Sequence, residues 1–264
     1  LEFIVPTLSS SEYTLVYNLF SFTFAAMLAS FLFFLLSRQQ VAPVYRVALT
    51  MSTLVVAIAG YHYFRIFESW SAAFTLTETG EYIASGKPFN DAYRYIDWLL
   101  TVPLLVAELV AVVKSGKGSG WLTFRLAAAA ALMVILGYPG EIATDLGTRA
   151  LWGAISTVPF VYILWVLFSE MGPAISSQTG QTQVLLRNTR LLLLATWGFY
   201  PIVYLLPILG IAPTSAIVAV QIGYCIADVA AKCGYGIMIY AIAREKSISE
   251  GYNMDAVHGV VVAK

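Results

Sequence analysis

Charge is what this 264-residue sequence has least of. Asp, Glu, Lys and Arg make up 11% of it, against about a quarter in an ordinary soluble domain. The deficit runs along the whole chain, which excludes a water-bathed globule and implies lipid as the main solvent. There is no basic excess either. Fifteen Lys and Arg balance fifteen Asp and Glu, leaving no electrostatic footprint for nucleic acid. Cysteine is confined to Cys225 and Cys233. Eight residues of helix would separate them by roughly 12 Å, beyond the reach of a disulfide. With so few Cys and His, no metal site is expected. Internal repeats and a second domain are also lacking.

What the sequence has is apolar runs, 59% of it being hydrophobic. Crossing the hydrocarbon core takes about 20 mostly apolar residues. Spans are predicted at about 13–37, 46–67, 92–113, 121–140, 150–169, 187–208 and 215–244. The uncharged run 191–227 is too long for one crossing, and Pro207, Gly210 and Pro213 divide it. Residues 69–90, with Gly80, Gly86 and Pro88, could hold a small hairpin. Residues 245–264 read as a loose tail. The expected fold is an all-α membrane protein, one seven-helix bundle over 1–264. Arg38, Arg46, Lys114, Lys117, Arg187, Arg190, Arg244 and Lys246 would share one side, against chiefly Lys87 and Arg149 on the other. That asymmetry puts the N-terminus outside and the C-terminus in the cytoplasm of a multi-pass cell-membrane protein.

Four ionisable residues fall where none should: Asp97, Glu108, Asp228 and Lys232. Each costs at least ~2.5–3.5 kcal/mol to insert. Lys232 lies twelve residues before Arg244, roughly 18 Å along a helix, too deep to reach water. Two readings stay open for it. It could be a structural partner of Asp228 at i−4, or a desolvated amine that condenses with an aldehyde. Asp97 and Glu108 are eleven residues apart, about three turns. They therefore share a helix face, roughly 16 Å apart along the axis. One carboxylate toward each side of a mid-membrane amine makes a proton relay. Thr101 can hydrogen-bond along that face, and Arg94, at i−3 from Asp97, would supply a counter-charge on the outer side. Tyr63, Trp98, Trp152, Trp197, Tyr200 and Tyr204 gather near the same depth. Alone they read as packing; beside the lysine they suggest a slot for a flat, conjugated ligand.

Particular strings carry a resemblance. The segment Arg94-Tyr95-Ile96-Asp97-Trp98-Leu99-Leu100-Thr101-Val102-Pro103-Leu104-Leu105-Val106-Ala107-Glu108 resembles the third helix of microbial rhodopsins. Asp228-Val229-Ala230-Ala231-Lys232 resembles their seventh, Trp197-Gly198-Phe199-Tyr200-Pro201-Ile202-Val203-Tyr204 their sixth, and Trp152-Gly153-Ala154-Ile155-Ser156-Thr157 their fifth. The resemblance spans essentially all seven helices. It implies all-trans retinal bound covalently as a Schiff base on Lys232. Asp97 would be primary counterion and proton acceptor, Asp228 second counterion and Glu108 cytoplasmic proton donor. Asp97, Thr101 and Glu108 together are similar to outward proton pumps of the proteorhodopsin and xanthorhodopsin type. A sodium pump would carry Asn, Asp and Gln there, and a chloride pump no carboxylate at 97. His62 matches the histidine that partners the acceptor aspartate, and Leu105 the colour-tuning position, where leucine implies green absorption. Trp98, Trp197, Tyr200, Pro201, Tyr204, Tyr63, Trp152 and Ser156 would surround retinal. Gly153 stands where xanthorhodopsin-like pumps open a window for a carotenoid antenna, which implies a hydroxylated carotenoid (a xanthophyll) as second pigment. A homo-oligomer, pentamer or trimer, is also implied. A sensory photoreceptor with the same chromophore site, and a non-photochemical proton-coupled carrier, are the competing readings.

Overall fold

The computed structural model describes residues 5–114, 119–209 and 213–252. Lys117, Gly210 and most of the predicted tail lie outside them. Helix α1, Ser10–Ser37, starts at a reciprocal cap: the Glu12 amide donates to Ser9 Oγ, and the Ser9 amide to the Glu12 carboxylate. Then come α2 (Arg46–Ala73), α3 (Tyr93–Val113) and α4 (Gly120–Glu141). Helix α5 (Leu146–Trp165) is capped by the Asp145 side chain and runs into a wide π-turn at Val166–Glu170. A short α6 (Gly172–Ser176) precedes α7 (Gly180–Leu205). The last rod is α8 (Pro213–Asp228), a six-residue π-turn (Val229–Gly234) and α9 (Tyr235–Ser249). Pro103, Pro139, Pro159 and Pro201 sit inside helices, as membrane helices tolerate when neighbours supply the lost backbone partners.

Among the described residues, six helical stretches are long and apolar enough to span a bilayer. Helix α7 is the seventh rod. Gln181, Gln183, Arg187, Asn188 and Arg190 in its first half dilute its hydropathy. These polar residues are helical all the same, so the rod begins at Gly180, seven residues ahead of the predicted 187. The predicted loose tail also needs correcting. Glu245 to Ser249 continue α9, held by Lys246 Nζ donating to the Val112 carbonyl (2.9 Å) and by the Ala42 amide donating to Ser247 Oγ (2.8 Å).

The bundle is inside-out relative to a water-soluble protein. Phe22, Leu36, Trp121, Val158 and Ile226 are exposed, while Arg94, Asp97, Glu108, Gln221, Asp228 and Lys232 are buried. Apolar side chains facing outward cost nothing in lipid, so the polar residues gather at the axis.

The predicted hairpin between the second and third spans is present. Strands β2 (Phe74–Leu76) and β3 (Glu81–Ala84) pair antiparallel, with Thr75 opposite Ile83. Gly80 turns the chain at φ +85°, a left-handed conformation that glycine adopts without strain. A two-residue strand, β1 (Leu8–Ser9), adds to the free edge of β3 and gives the order β1-β3-β2. The sheet is glued to the bundle by rings. Tyr13 of α1 stacks on Tyr82 with centroids 3.7 Å apart and also contacts Trp70 and Phe74. Tyr82→Ala should therefore free the hairpin at a cost of about 1–3 kcal/mol, without melting the helices. Limited proteolysis should then cut faster within 77–86, with an unchanged helical circular dichroism signal; equal cutting in both proteins would show that the ring stack does not hold the sheet.

Candidate functional site

Lys232 occupies the π-turn, where backbone hydrogen bonds reach across five residues instead of four. Its ammonium is buried and reaches two carboxylates: Asp97 Oδ2 on α3 at 2.5 Å, and Asp228 Oδ1, one turn back, at 2.9 Å. The i−4 pairing expected from the sequence is thus present, and a second carboxylate from another helix joins it.

The two carboxylates differ in their other partners. Asp228 is saturated. Tyr63 of α2 donates to Oδ2 (2.6 Å), and Tyr200 of α7 and Trp98 of α3 donate to Oδ1. Asp97 Oδ1 is buried with no hydrogen-bond partner among the described residues. His62 lies within electrostatic reach of Asp97, but its Nδ1–H is directed to the Ile58 carbonyl (2.9 Å). Thr101 donates to the Asp97 backbone carbonyl (2.8 Å), not to its carboxylate.

Arg94 departs from expectation. Its guanidinium does not bond Asp97. It contacts Asp91 (Nε to Oδ1, 2.5 Å), the Tyr63 hydroxyl (3.1 Å) and Gln221 Oε1. The rings of Phe20, Tyr63 and Tyr224 lie 5.1–5.6 Å from its Cζ. Asp91, one turn nearer the helix start, takes the cation and so competes with Asp97 for it. Tyr63 joins the two groups, donating to Asp228 and accepting from Arg94. Asp91, Gln221 and Tyr224 escaped the sequence reading. Asp91 lies outside the predicted third span, and Gln221 carries no charge to mark it.

Glu108, on the same helix as Asp97, is fully buried. Its Oε2 accepts from Ser52 of α2 (2.5 Å), and its Oε1 has no partner among the described residues. Among the described residues it has no Lys or Arg as an ion-pair partner. Ser52 was a further residue without a sequence signal.

Lys232 also lines a cavity of about 140 Å³. Helix α3 contributes Trp98 and Leu105, α5 Gly153 and Ser156, and α7 Trp197, Tyr200, Pro201 and Tyr204. Two expected lining residues are elsewhere. Tyr63 belongs to the Asp228–Arg94 bridge, and Trp152 starts against Gly140 of α4. Tyr95, Met133, Phe160 and Tyr224 take part in the wall instead.

Seven rods around a cavity lined by a buried lysine are the arrangement that the resemblance to retinal-binding membrane proteins implies. The comparisons agree. A sequence model of the family described as bacteriorhodopsin-like protein matches residues 14–246. Green-light absorbing proteorhodopsin of Gamma-proteobacterium EBAC31A08 is 31% identical over 244 residues, 91% of this chain and 90% of its own length. Bacteriorhodopsin of Halobacterium salinarum is 32% identical over 72% of this chain and 68% of its own. The solved structure of xanthorhodopsin, a light-driven ion pump with dual chromophore, superposes with TM-score 0.90 at 56% identity. It covers 94% of this chain and 100% of its own. Thermophilic rhodopsin follows at TM-score 0.88 and 52% identity, with the same coverage. The chain belongs to the bacteriorhodopsin-like family: it is a microbial rhodopsin, a multi-pass protein of the prokaryotic cell membrane, from a family of retinal-carrying pumps.

The residues present fit retinal. The cavity is lined by aromatic rings and by one primary amine, that of Lys232, and the carboxylate bonded to this amine keeps an oxygen without a partner among the described residues. The Tyr63 bridge can be weighed separately. Tyr63→Phe removes one donor to Asp228 and the acceptor of Arg94. Leaving such buried groups short of partners should lower unfolding stability by about 1–3 kcal/mol. A thermal scan of the purified protein checks this, and an unchanged midpoint would mean the bridge carries no net stability.

Proposed function

We propose that this protein is an outward, light-driven proton pump with retinal joined to Lys232. The observation that carries the reading is the pair of carboxylates on α3: Asp97 bonded to the Lys232 nitrogen, and Glu108 buried apart from any cation three turns further on. Retinal, when bound, supplies a light-driven change of shape at the Lys232 nitrogen. The protein's residues do the rest. Asp97 and Asp228 hold positive charge at that nitrogen. Asp97, with one oxygen free, is the carboxylate able to take up its proton. Asp228, whose oxygens are occupied by Tyr63, Tyr200 and Trp98, stays anionic and keeps the site's charge fixed. His62 acts on Asp97 through space. Glu108 carries the proton that restores the Lys232 nitrogen. Basic residues on the loops at the Glu108 end support placing that end in the cytoplasm, so the net movement is outward.

The experiment is a pH measurement on retinal-loaded cells in weakly buffered medium. Light should acidify the medium, and a protonophore should abolish the signal. Glu108→Gln should keep the pigment but slow return of the proton to the Lys232 nitrogen by about 10²-fold or more. A pigment with no acidification would favour a photosensor, and unaltered recovery in Glu108→Gln would remove Glu108 from the relay.

Green absorption and a second pigment belong to the same proposal. Leu105 lines the cavity, and a green-absorbing proteorhodopsin is among the relatives. Gly153 lines the cavity, and xanthorhodopsin, a 56% identical relative, carries a dual chromophore. We read Gly153 as the place where a hydroxylated carotenoid lies against the bundle. The excitation spectrum of pumping should then show carotenoid bands, and Gly153→Trp should remove them. A spectrum following retinal absorption alone would refute the antenna.

A further inference from the structure

The wall beside Gly153 is Tyr204, and Tyr204 is held by groups that the relay does not use. Its hydroxyl donates to the Arg149 backbone carbonyl (2.7 Å). Its own backbone carbonyl accepts from Arg149 Nε (3.1 Å). The Arg149 guanidinium lies flat over its ring, 4.3 Å from the centroid. Arg149 is buried, and its remaining nitrogens go to Glu141 at the end of α4: Nη1 to the carbonyl (3.1 Å) and Nη2 to the carboxylate (2.8 Å). The ends of α4, α5 and α7 are thus tied through one side chain.

Two glycines make room for the ring. A Cβ at Gly140 would come within 2.0 Å of the Tyr204 hydroxyl, and one at Gly153 within 2.8 Å of the ring edge. The ring therefore sits in a notch cut from α4 and α5. It lines the cavity and is partly buried. Helices α4 and α5 pack along their length, whereas α5 meets α7 only briefly. Tyr204 is one of the residues of α7 that wall the cavity beside α5.

We infer that the Glu141–Arg149 ion pair is a positioning device for Tyr204, fixing its ring in the Gly140–Gly153 notch as a side door of the cavity. An arginine suits the task because its planar fork bonds two helices while its face stacks on the ring. With the pair broken, the ring gains freedom to leave the notch, and the cavity opens sideways toward lipid and the interface. The inference rests on the reading that this cavity takes retinal.

The test uses apoprotein in lipid vesicles. All-trans retinal is added, and two rates are recorded: pigment formation, and bleaching of the finished pigment by hydroxylamine in the dark. Arg149→Gln should accelerate both several-fold. The isosteric Glu141→Gln should accelerate them in the same direction, and it carries the test if Arg149→Gln does not fold. Because the pair acts through the ring, Arg149→Gln should add nothing to the rates of Tyr204→Ala. Pigment that forms and bleaches at unaltered rates in the folded variants would overturn the inference while leaving the retinal reading intact. Additive effects of Arg149→Gln and Tyr204→Ala would overturn it as well. A native chain that forms no pigment would sink the retinal reading instead.

Discussion

A lysine ammonium placed in hydrocarbon has to be neutralised within hydrogen-bond reach, and most of the interior follows from that demand. Asp97 and Asp228 answer it from two helices. Two carboxylates around one cation leave an excess negative charge, so Asp228 in turn collects donors from Tyr63, Tyr200 and Trp98. Tyr63 passes the connection to Arg94, and Arg94 to Asp91 and Gln221. Each group is present because the previous one could not be left without partners. Removing one member of a buried pair typically costs about 3–5 kcal/mol, so the network also fixes how the helices sit around the axis.

The same helix presents two carboxylates to two different environments. Asp97 faces a cation and keeps one oxygen free; Glu108 faces a single serine hydroxyl among apolar side chains. The same acidic group is thereby given two different surroundings by its neighbours alone. In the proposed relay, that difference in surroundings is what would divide the acceptor's task from the donor's.

How much could be read in advance depended on whether a residue announces itself locally. Lys232, Asp97, Asp228 and Glu108 stand out as charges inside apolar runs, and their spacing on helices gave their relation to one another. The hairpin at 74–84 was marked by its glycines. Ser52, Gln221 and Tyr224 are ordinary residues of membrane helices, and only packing brings them to the site. Arg94 was read as a counter-charge on the outer side from its i−3 spacing to Asp97, but Asp91 lies at the same distance in sequence on its other side, and only the folded chain shows that Asp91 takes the guanidinium. The start of α7 and the end of α9 were invisible for a different reason. Past the lipid boundary a helix no longer needs to be apolar, so hydropathy stops reporting it.

The π-turn at Val229–Gly234 has a consequence for how the last rod behaves. A turn that takes an extra residue loosens the ladder of backbone hydrogen bonds where it occurs and offsets the faces above and below it. The two halves of the rod, α8 and α9, are therefore set on separate angular registers, and the slack between them sits at Lys232 itself. A push delivered at the lysine acts on the turn where the two registers meet. Local rearrangement there can be absorbed as a small twist of one half against the other, while each half keeps its packing on the rest of the bundle.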